Sequence, residues 1–163
     1  MAQEGMIGAA FAVATTSPTF KLGTMAWDDG GKAYVYVQAD GAITGDGYVC
    51  SITNAFQAKM TDTDVAATIL QGNKVGVAEV AFADNEYGWL QVYGPCGIRT
   101  EQDAAANTKL ASTADAGQVD DAAATGIFIN GMHLGTATGG ADAVNTTGFL
   151  NWPTFEVQME PET

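Results

Sequence analysis

The chain has 163 residues, which is the size of one domain with a single ordinary hydrophobic core. It carries 19 Asp and Glu residues against 6 Lys and Arg residues, and the resulting net charge of -13 argues against binding of nucleic acid, because DNA would be repelled. Charged residues make up 15% and apolar residues 47% of the chain, which excludes an acidic disordered protein, while every region is too polar for a membrane span.

Residues 1–22 are small and apolar, are interrupted by Thr, Ser and Pro, and have no period that would give a helix a buried face. We expect them to form an extended N-terminal arm. Residues 8–14 are apolar enough for the centre of a secretory signal, but such a signal needs a basic segment before it, and the only preceding charge is Glu4. We therefore expect synthesis in a reducing cytosol.

A β-hairpin is predicted over residues 24–38. Its first strand covers residues 24–27, and the sequence Asp-Asp-Gly-Gly that follows supplies residues that tolerate positive φ where the chain reverses. Its second strand, Lys32 to Gln38, is rich in β-branched and aromatic residues.

Short strands separated by turn residues are predicted along the rest of the chain, at a spacing of about ten residues that is typical of an all-β fold. The exception is 61–70, where a short helix and a loop fit equally well. We predict an antiparallel β-sandwich or barrel with long Gly/Ala-rich loops: an arm over 1–22, a single β domain over 23–160 and an acidic tail over 161–163. The further predicted strands are 48–52, 56–60, 75–82, 87–94, 109–112, 117–119, 126–129, 133–137, 148–150 and 154–159.

The strand predicted near the middle of the chain has an aromatic face. Its period of two places Tyr87, Trp89 and Tyr93 on one side and Leu90 and Val92 on the other. Such aromatic side chains contribute most of the burial or association energy of a β protein. This face is therefore predicted to lie in the core or at a contact between subunits.

The block 75–93, with Val-Gly-Val-Ala at its start and Gly-Trp-Leu-Gln-Val-Tyr at its end, resembles small head-associated structural proteins of tailed bacteriophages. The sequence Lys-Leu-Ala-Ser at 109–112, the pair Ala116 and Gly117, and the hairpin region 22–43 are similar to the same family. The resemblance covers most of the chain.

This resemblance implies a capsid decoration or cement protein, a structural virion protein that binds the outer surface of the assembled capsid shell and stabilises it. Any ligand that binds the assembled form better than the loose one stabilises assembly by linkage. The implied partner is the major capsid protein, together with self-association as a homotrimer. The implied location is the capsid surface of the virion after synthesis in the host cytoplasm. No cofactor and no enzymatic activity are expected.

Two parts of the chain are expected to contact the shell or a neighbouring subunit. The arm could add a strand to an exposed sheet edge of the partner, and the large aromatic side chains could anchor the interface. The residues expected at this interface are Phe11, Val13, Phe20, Trp27, Tyr87, Trp89, Tyr93 and Trp152.

Two other functions remain open at this point. Trp27, Trp89 and Trp152 could form a stacking platform for sugar rings, as in a carbohydrate-binding or adhesin-like β module on a particle or cell surface. Asp and Glu are plentiful enough for a hydrolase with an acidic site, but the sequence places no two of them at a catalytic separation.

No metal site is predicted. The acidic pairs at 28–29, 62–64 and 120–121 do not fit a calcium-binding loop and are interpreted as solvated turn residues. His133 is the only histidine and supports neither a catalytic triad nor a metal site by itself. Cys50 and Cys96 are expected to be buried free thiols, with a disulfide between them as the alternative.

Overall fold

The computed structural model describes residues 9–64, 73–122, 126–140 and 144–156. In these ranges the protein is all-β, as predicted, and its ten strands belong to one large mixed sheet. The strands are β1 (Met25–Trp27), β2 (Ala33–Ala39), β3 (Tyr48–Ile52), β4 (Gln57–Met60), β5 (Lys74–Ala78), β6 (Tyr87–Thr100), β7 (Leu110–Ser112), β8 (Val119–Asp120), β9 (Phe128–Leu134) and β10 (Val144–Phe155).

The predicted hairpin is confirmed. Strands β1 and β2 pair antiparallel, with Ala26 opposite Tyr34. The turn closes because the backbone N–H of Asp28 donates to the carbonyl of Lys32 at 3.0 Å, while the N–H of Lys32 donates to the Asp28 carboxylate at 2.8 Å. Gly31 takes a φ of 80° in this turn, which a residue with a side chain adopts only at a cost.

Strand β6 joins two halves of the molecule. Its first part pairs with β2 and its second part with β10, and Tyr93 is the residue where the two pairings meet, opposite Ala33 on one side and Asn151 on the other. The strand pairings include two five-strand circuits that share β6, and β10 links them by a further pairing with β5. One circuit is β2–β4–β3–β5–β6, and the other is β6–β8–β7–β9–β10.

Buried apolar side chains form two groups, which we call the cores of the first and second circuits, and β6 contributes to both. Leu90 and Val92 belong to the core of the first circuit, which also includes Val35 and Ile52 from β2 and β3. Val75 and Val77 of β5 belong to the core of the second circuit. After the bend in β6, its side chains enter the second group. That group includes Cys96, Ile98, Leu110, Val119, Ile129, Leu134 and Leu150.

The prediction of a purely antiparallel sheet is wrong at two pairings. Strand β2 runs parallel to β4, and β6 runs parallel to β8. Each of the two five-strand circuits includes one of these parallel pairs. The pairings among β5, β6 and β10 are all antiparallel.

Two strands also run further than predicted, through prolines that were interpreted as strand ends. Pro95 lies within β6 opposite Phe149, and Pro153 lies within β10 beside a register shift in the pairing with β9. Proline is accepted in a strand where its missing N–H is not needed, at an edge or a bulge. Gly94, with a φ of 98°, provides the bend before Pro95.

The described part of the predicted arm, residues 9–22, lies on the protein's own sheet. The backbones of Thr15 and Tyr87 exchange two hydrogen bonds of 2.8 Å, and the N–H of Thr19 donates to the Tyr36 hydroxyl at 3.0 Å. We call residues 9–22 the N-terminal segment. Residues 1–8, the acidic tail 161–163 and most of the ambiguous stretch, 65–70, lie outside the described residues, whereas Thr63 and Asp64 are helical.

Replacement of Phe11 by Ala tests this position of the N-terminal segment. The Phe11 ring stacks on Tyr34 with centroids 4.3 Å apart, so we expect Phe11→Ala to lower the free energy of unfolding by about 1.5–3 kcal/mol in chemical denaturation. Val13→Ala is the matched control, because Val13 is 49% exposed, and its effect should stay within about 0.5 kcal/mol. Equal stability of both variants and the wild type would show that the segment is free in solution.

Candidate functional site

An inner aromatic cluster covers the outer face of β2 and β6. Trp89 is at its centre, 5.0 Å from the Tyr36 ring centroid, 5.2 Å from that of Phe20 and 5.3 Å from that of Phe11. The alternation predicted for β6 is confirmed from Tyr87 to Leu90, because Tyr87 and Trp89 face this cluster while Leu90 faces the core of the first circuit. The prediction is wrong for Tyr93, which packs against the core of the first circuit beyond a register shift in the pairing with β2.

Four of the predicted interface residues therefore take part in packing within the chain. Phe11, Phe20 and Tyr87 are partly buried against the cluster, and Trp89 is only 2% exposed. These side chains hold the N-terminal segment on the sheet, since the segment contributes two of the aromatic rings. Of the interface residues predicted on the arm, only Val13 is exposed, at 49%.

An outer aromatic cluster, consisting of Trp27, Tyr93, Phe149 and Trp152, lies at the junction of the two circuits. The Trp27 centroid is 5.4 Å from that of Tyr93 and 5.9 Å from that of Trp152, and Tyr93 is 5.5 Å from Phe149. Trp27 is 47% exposed and Trp152 is 44% exposed. The structure thus brings together three of the predicted interface residues, from β1, β6 and β10, as an exposed apolar surface.

The backbone of β10 is distorted where it presents Trp152. This residue has a φ of 52°, a left-handed conformation that a bulky side chain rarely adopts, and Pro153 follows it. The pairing of β10 with β9 shifts register between Leu150 and Thr154, and such bulges redirect a side chain out of the regular pleat. Strain of this kind is concentrated at functional positions, and here its effect is to expose an indole ring.

A small cavity of about 150 Å³ opens beside the outer aromatic cluster. Its walls include Val35 and Val92 from the core of the first circuit and Val75 from the core of the second. Met25 and Trp152, both partly exposed, also line it. The cavity therefore leads from the exposed aromatic surface into the boundary between the two cores.

The sequence indicates this surface only in part. Tyr93, Trp27 and Trp152 are predicted interface residues, whereas Phe149 is brought close by the long-range pairing of β10 with β6. Met25 is not among the predicted residues, although it lies on the same face of β1 as Trp27. His133 also lies here, exposed on β9 with its ring 6.0 Å from that of Phe149.

A polar group forms at the turn end of the hairpin from residues far apart in sequence. The Lys32 ammonium lies 3.0 Å from the Glu79 carboxylate, and the Tyr34 hydroxyl donates long hydrogen bonds to Glu79 and Asp28, at 3.5 and 3.4 Å. Burial, followed by the charges of Glu79 and Asp28, raises the pKa of Tyr34 well above its ordinary value.

The two thiols are free and buried in different cores, Cys50 in that of the first circuit and Cys96 in that of the second. Burial raises the pKa of Cys50, and it raises the pKa of Cys96 to about 12 although the nearby Lys32 charge acts in the opposite direction. Both thiols are therefore poor nucleophiles in the folded protein.

Within the ranges described, no three His, Cys, Asp or Glu side chains come close enough to hold a metal ion. Asp120, predicted as a solvated turn residue, is instead the half-buried last residue of β8 opposite Ala111, and its carboxylate accepts a hydrogen bond from the backbone of Asp121 at 2.8 Å. No helix in the described part of the chain has the length and hydropathy needed to cross a membrane.

Comparison with other proteins adds no family to these observations. No protein-family model and no curated protein matches the sequence, and no solved structure matches the fold. The geometry of the chain's own residues therefore carries the functional interpretation.

The tryptophans of the two aromatic clusters should contribute differently to the free energy of unfolding. Trp89→Ala should cost about 3–5 kcal/mol of unfolding free energy because it empties a buried site, whereas Trp152→Ala should cost about 1 kcal/mol or less. Trp152→Gly should be more stable than Trp152→Ala by about 1 kcal/mol, because glycine adopts a positive φ without strain. Equal losses for Trp89→Ala and Trp152→Ala would place Trp152 in the core.

The raised pKa of Tyr34 predicts a loss of stability in alkali. Above a pH of about 10 the unfolded phenol loses its proton while the folded one keeps it, so folding becomes less favourable as the pH rises. We expect the stability of the wild type relative to Tyr34→Phe to fall by up to about 1.4 kcal/mol per pH unit in that range. At pH 7 the two should agree within about 1 kcal/mol, and a difference independent of pH would contradict the buried neutral phenol.

Proposed function

We propose that this chain is a structural virion protein that decorates the assembled capsid shell and stabilises it by binding its outer surface. The resemblance of residues 75–93 to head-associated phage proteins supplies the class of partner, the major capsid protein. Self-association as a homotrimer and location on the capsid surface are parts of the same proposal. An antiparallel arrangement of most strands, closed into barrel-like or sandwich-like halves, suits a compact module of this kind.

The observation that carries the proposal is the outer aromatic cluster. Trp27 and Trp152 each leave almost half of their surface in water, next to the partly exposed Met25. Exposed tryptophans grouped with other apolar residues mark protein contacts, because their burial contributes more binding energy than that of other side chains. A protein-binding role accounts for this surface and for the strained backbone that presents Trp152.

The charge of the chain supports a basic partner surface. The net charge is -13, and Asp28 and Asp29 directly follow Trp27 in the hairpin turn. Acidic side chains next to an apolar contact steer a basic partner and fix its orientation more than they increase its affinity. The cluster would then supply the affinity and the acidic turn the orientation.

The proposal includes no enzymatic activity. The group around Tyr34 is the one place where two carboxylates and a buried hydroxyl meet among the contacts described above. A general acid or base works best with a pKa near the working pH, whereas the pKa of Tyr34 moves away from neutrality. Its contacts fit a structural role that ties the hairpin to the end of β5.

A carbohydrate-binding role is the second candidate, favoured by the same exposed indoles. Trp27 and Trp152 meet with an angle of 70° between their ring planes, so their faces do not form one flat platform for a sugar ring. Tyr93 and Trp152 are closer to parallel, at 30°, but stack on each other at 5.8 Å. This ridge fits a pocketed protein surface better than a sugar ring.

Sedimentation with purified expanded capsid shells tests the proposal. The wild type should bind with saturable stoichiometry and should not bind polysaccharide. Trp27→Ala and Trp152→Ala should each weaken shell binding by about 2 kcal/mol or more, roughly thirtyfold, if they anchor the contact. Val13→Ala serves as the control, because it removes an equally exposed apolar side chain outside the outer aromatic cluster.

Retention of shell binding by both tryptophan variants would reject the cluster as the contact. Loss of shell binding in Val13→Ala alone would show that the N-terminal segment, and not the outer aromatic cluster, contacts the shell. Binding of polysaccharide but not of shells would favour the carbohydrate-binding module.

A further inference from the structure

The cavity beside Trp152 has the properties of a binding pocket. Its volume is about 150 Å³, and the side chains of Val35, Val75 and Val92 form its inner walls. These three valines are almost fully buried, so the inner end is part of the packed core, while Met25 and Trp152 at the mouth are partly exposed. The cavity is therefore fixed at its inner end and accessible at its outer end.

The size and lining of the cavity determine what can occupy it. An apolar cavity of about 150 Å³ in another protein stays free of water and binds benzene or xenon. Lys74 is the one charged residue at the rim. Its ammonium group lies over the Phe56 ring, 5.6 Å from the ring centroid, so this charge already has a partner outside the cavity. The occupant must accordingly be neutral, apolar and about as large as a benzene ring.

We propose that this cavity receives one apolar side chain of Phe, Leu or Met size from a basic segment of the shell protein. This inference rests on the proposed function and specifies how the outer aromatic cluster binds. Strong contacts in protein interfaces consist of an anchor side chain in a desolvated pocket surrounded by residues that exclude water. Trp152 is shared by the pocket and the cluster, so an anchor in the pocket would place the partner backbone against Trp27 as well.

The negative charge of this chain determines which residues of the partner segment can lie beside the anchor. The whole chain has a net charge of -13, and the exposed Asp29 lies two residues after Trp27, whose ring contacts Trp152 at the mouth of the pocket. The Asp28 carboxylate is instead bound to the Lys32 backbone and the Tyr34 hydroxyl. A partner segment with basic residues beside its apolar anchor is complementary to this arrangement, whereas an acidic segment would be repelled.

Benzene is the probe for the pocket itself. We expect it to shift the NMR signals of the Val35, Val75 and Val92 methyl groups in the wild type. Val92→Ile, which we call the filled variant, narrows the cavity by one methyl group and should weaken benzene binding severalfold without lowering the melting temperature. Val37→Ile, buried on β2 but outside the cavity wall, is the control and should retain benzene binding. If Val92→Ile is destabilised, Val35→Ile provides a second filled variant.

Shell sedimentation with the same variants identifies the occupant. Loss of both benzene and shell binding in the filled variant, with both retained in Val37→Ile, supports the anchor. A filled variant that loses benzene but binds shells normally overturns the anchor and leaves the proposed function intact. A wild type that does not bind benzene overturns the pocket. A wild type that binds benzene but no shells overturns the proposed function, and with it the assignment of the anchor to the shell protein.

Discussion

Strand β6 has to serve two sets of neighbours, pairing with β2 before its bend and with β10 after it. The bend at Gly94 is held by the buried Gln91, whose side-chain amide donates to the carbonyls of Tyr93 and Pro95, each at 3.0 Å. Buried polar groups of this kind are costly unless they are paired, so they specify one geometry. Both five-strand circuits share this strand, and the two cores therefore meet at the bend.

The position of the outer aromatic cluster follows from that bend. Tyr93 is the residue at which the partner of β6 changes, and Trp27 and Trp152 lie against it from β1 and β10. Neither core closes completely there, which accounts for the cavity between Val75 on one side and Val92 on the other. The same closure that fills two cores thus leaves one apolar region in contact with water, and the proposed capsid contact uses that region.

The features predicted correctly from the sequence depend on local chemistry. The hairpin from Met25 to Ala39 has its own turn residues, and the alternation along β6 is a direct consequence of strand geometry. The parallel pairs, the docking of the N-terminal segment on Trp89 and the passage of strands through Pro95 and Pro153 were not predicted. They depend on closure between distant segments, and a single sequence contains no local pattern for it. The grouping of Trp27 with Trp152 also depends on the closure between distant segments.

The central claim is that the outer aromatic cluster is covered by a shell protein in the assembled particle. A density map of capsid shells with this protein bound, at a resolution that shows indole rings, tests it most directly. We expect density of the shell protein against Trp27 and Trp152 and the N-terminal segment still folded over Trp89. A map in which both exposed indoles face solvent while another surface contacts the shell would contradict the account.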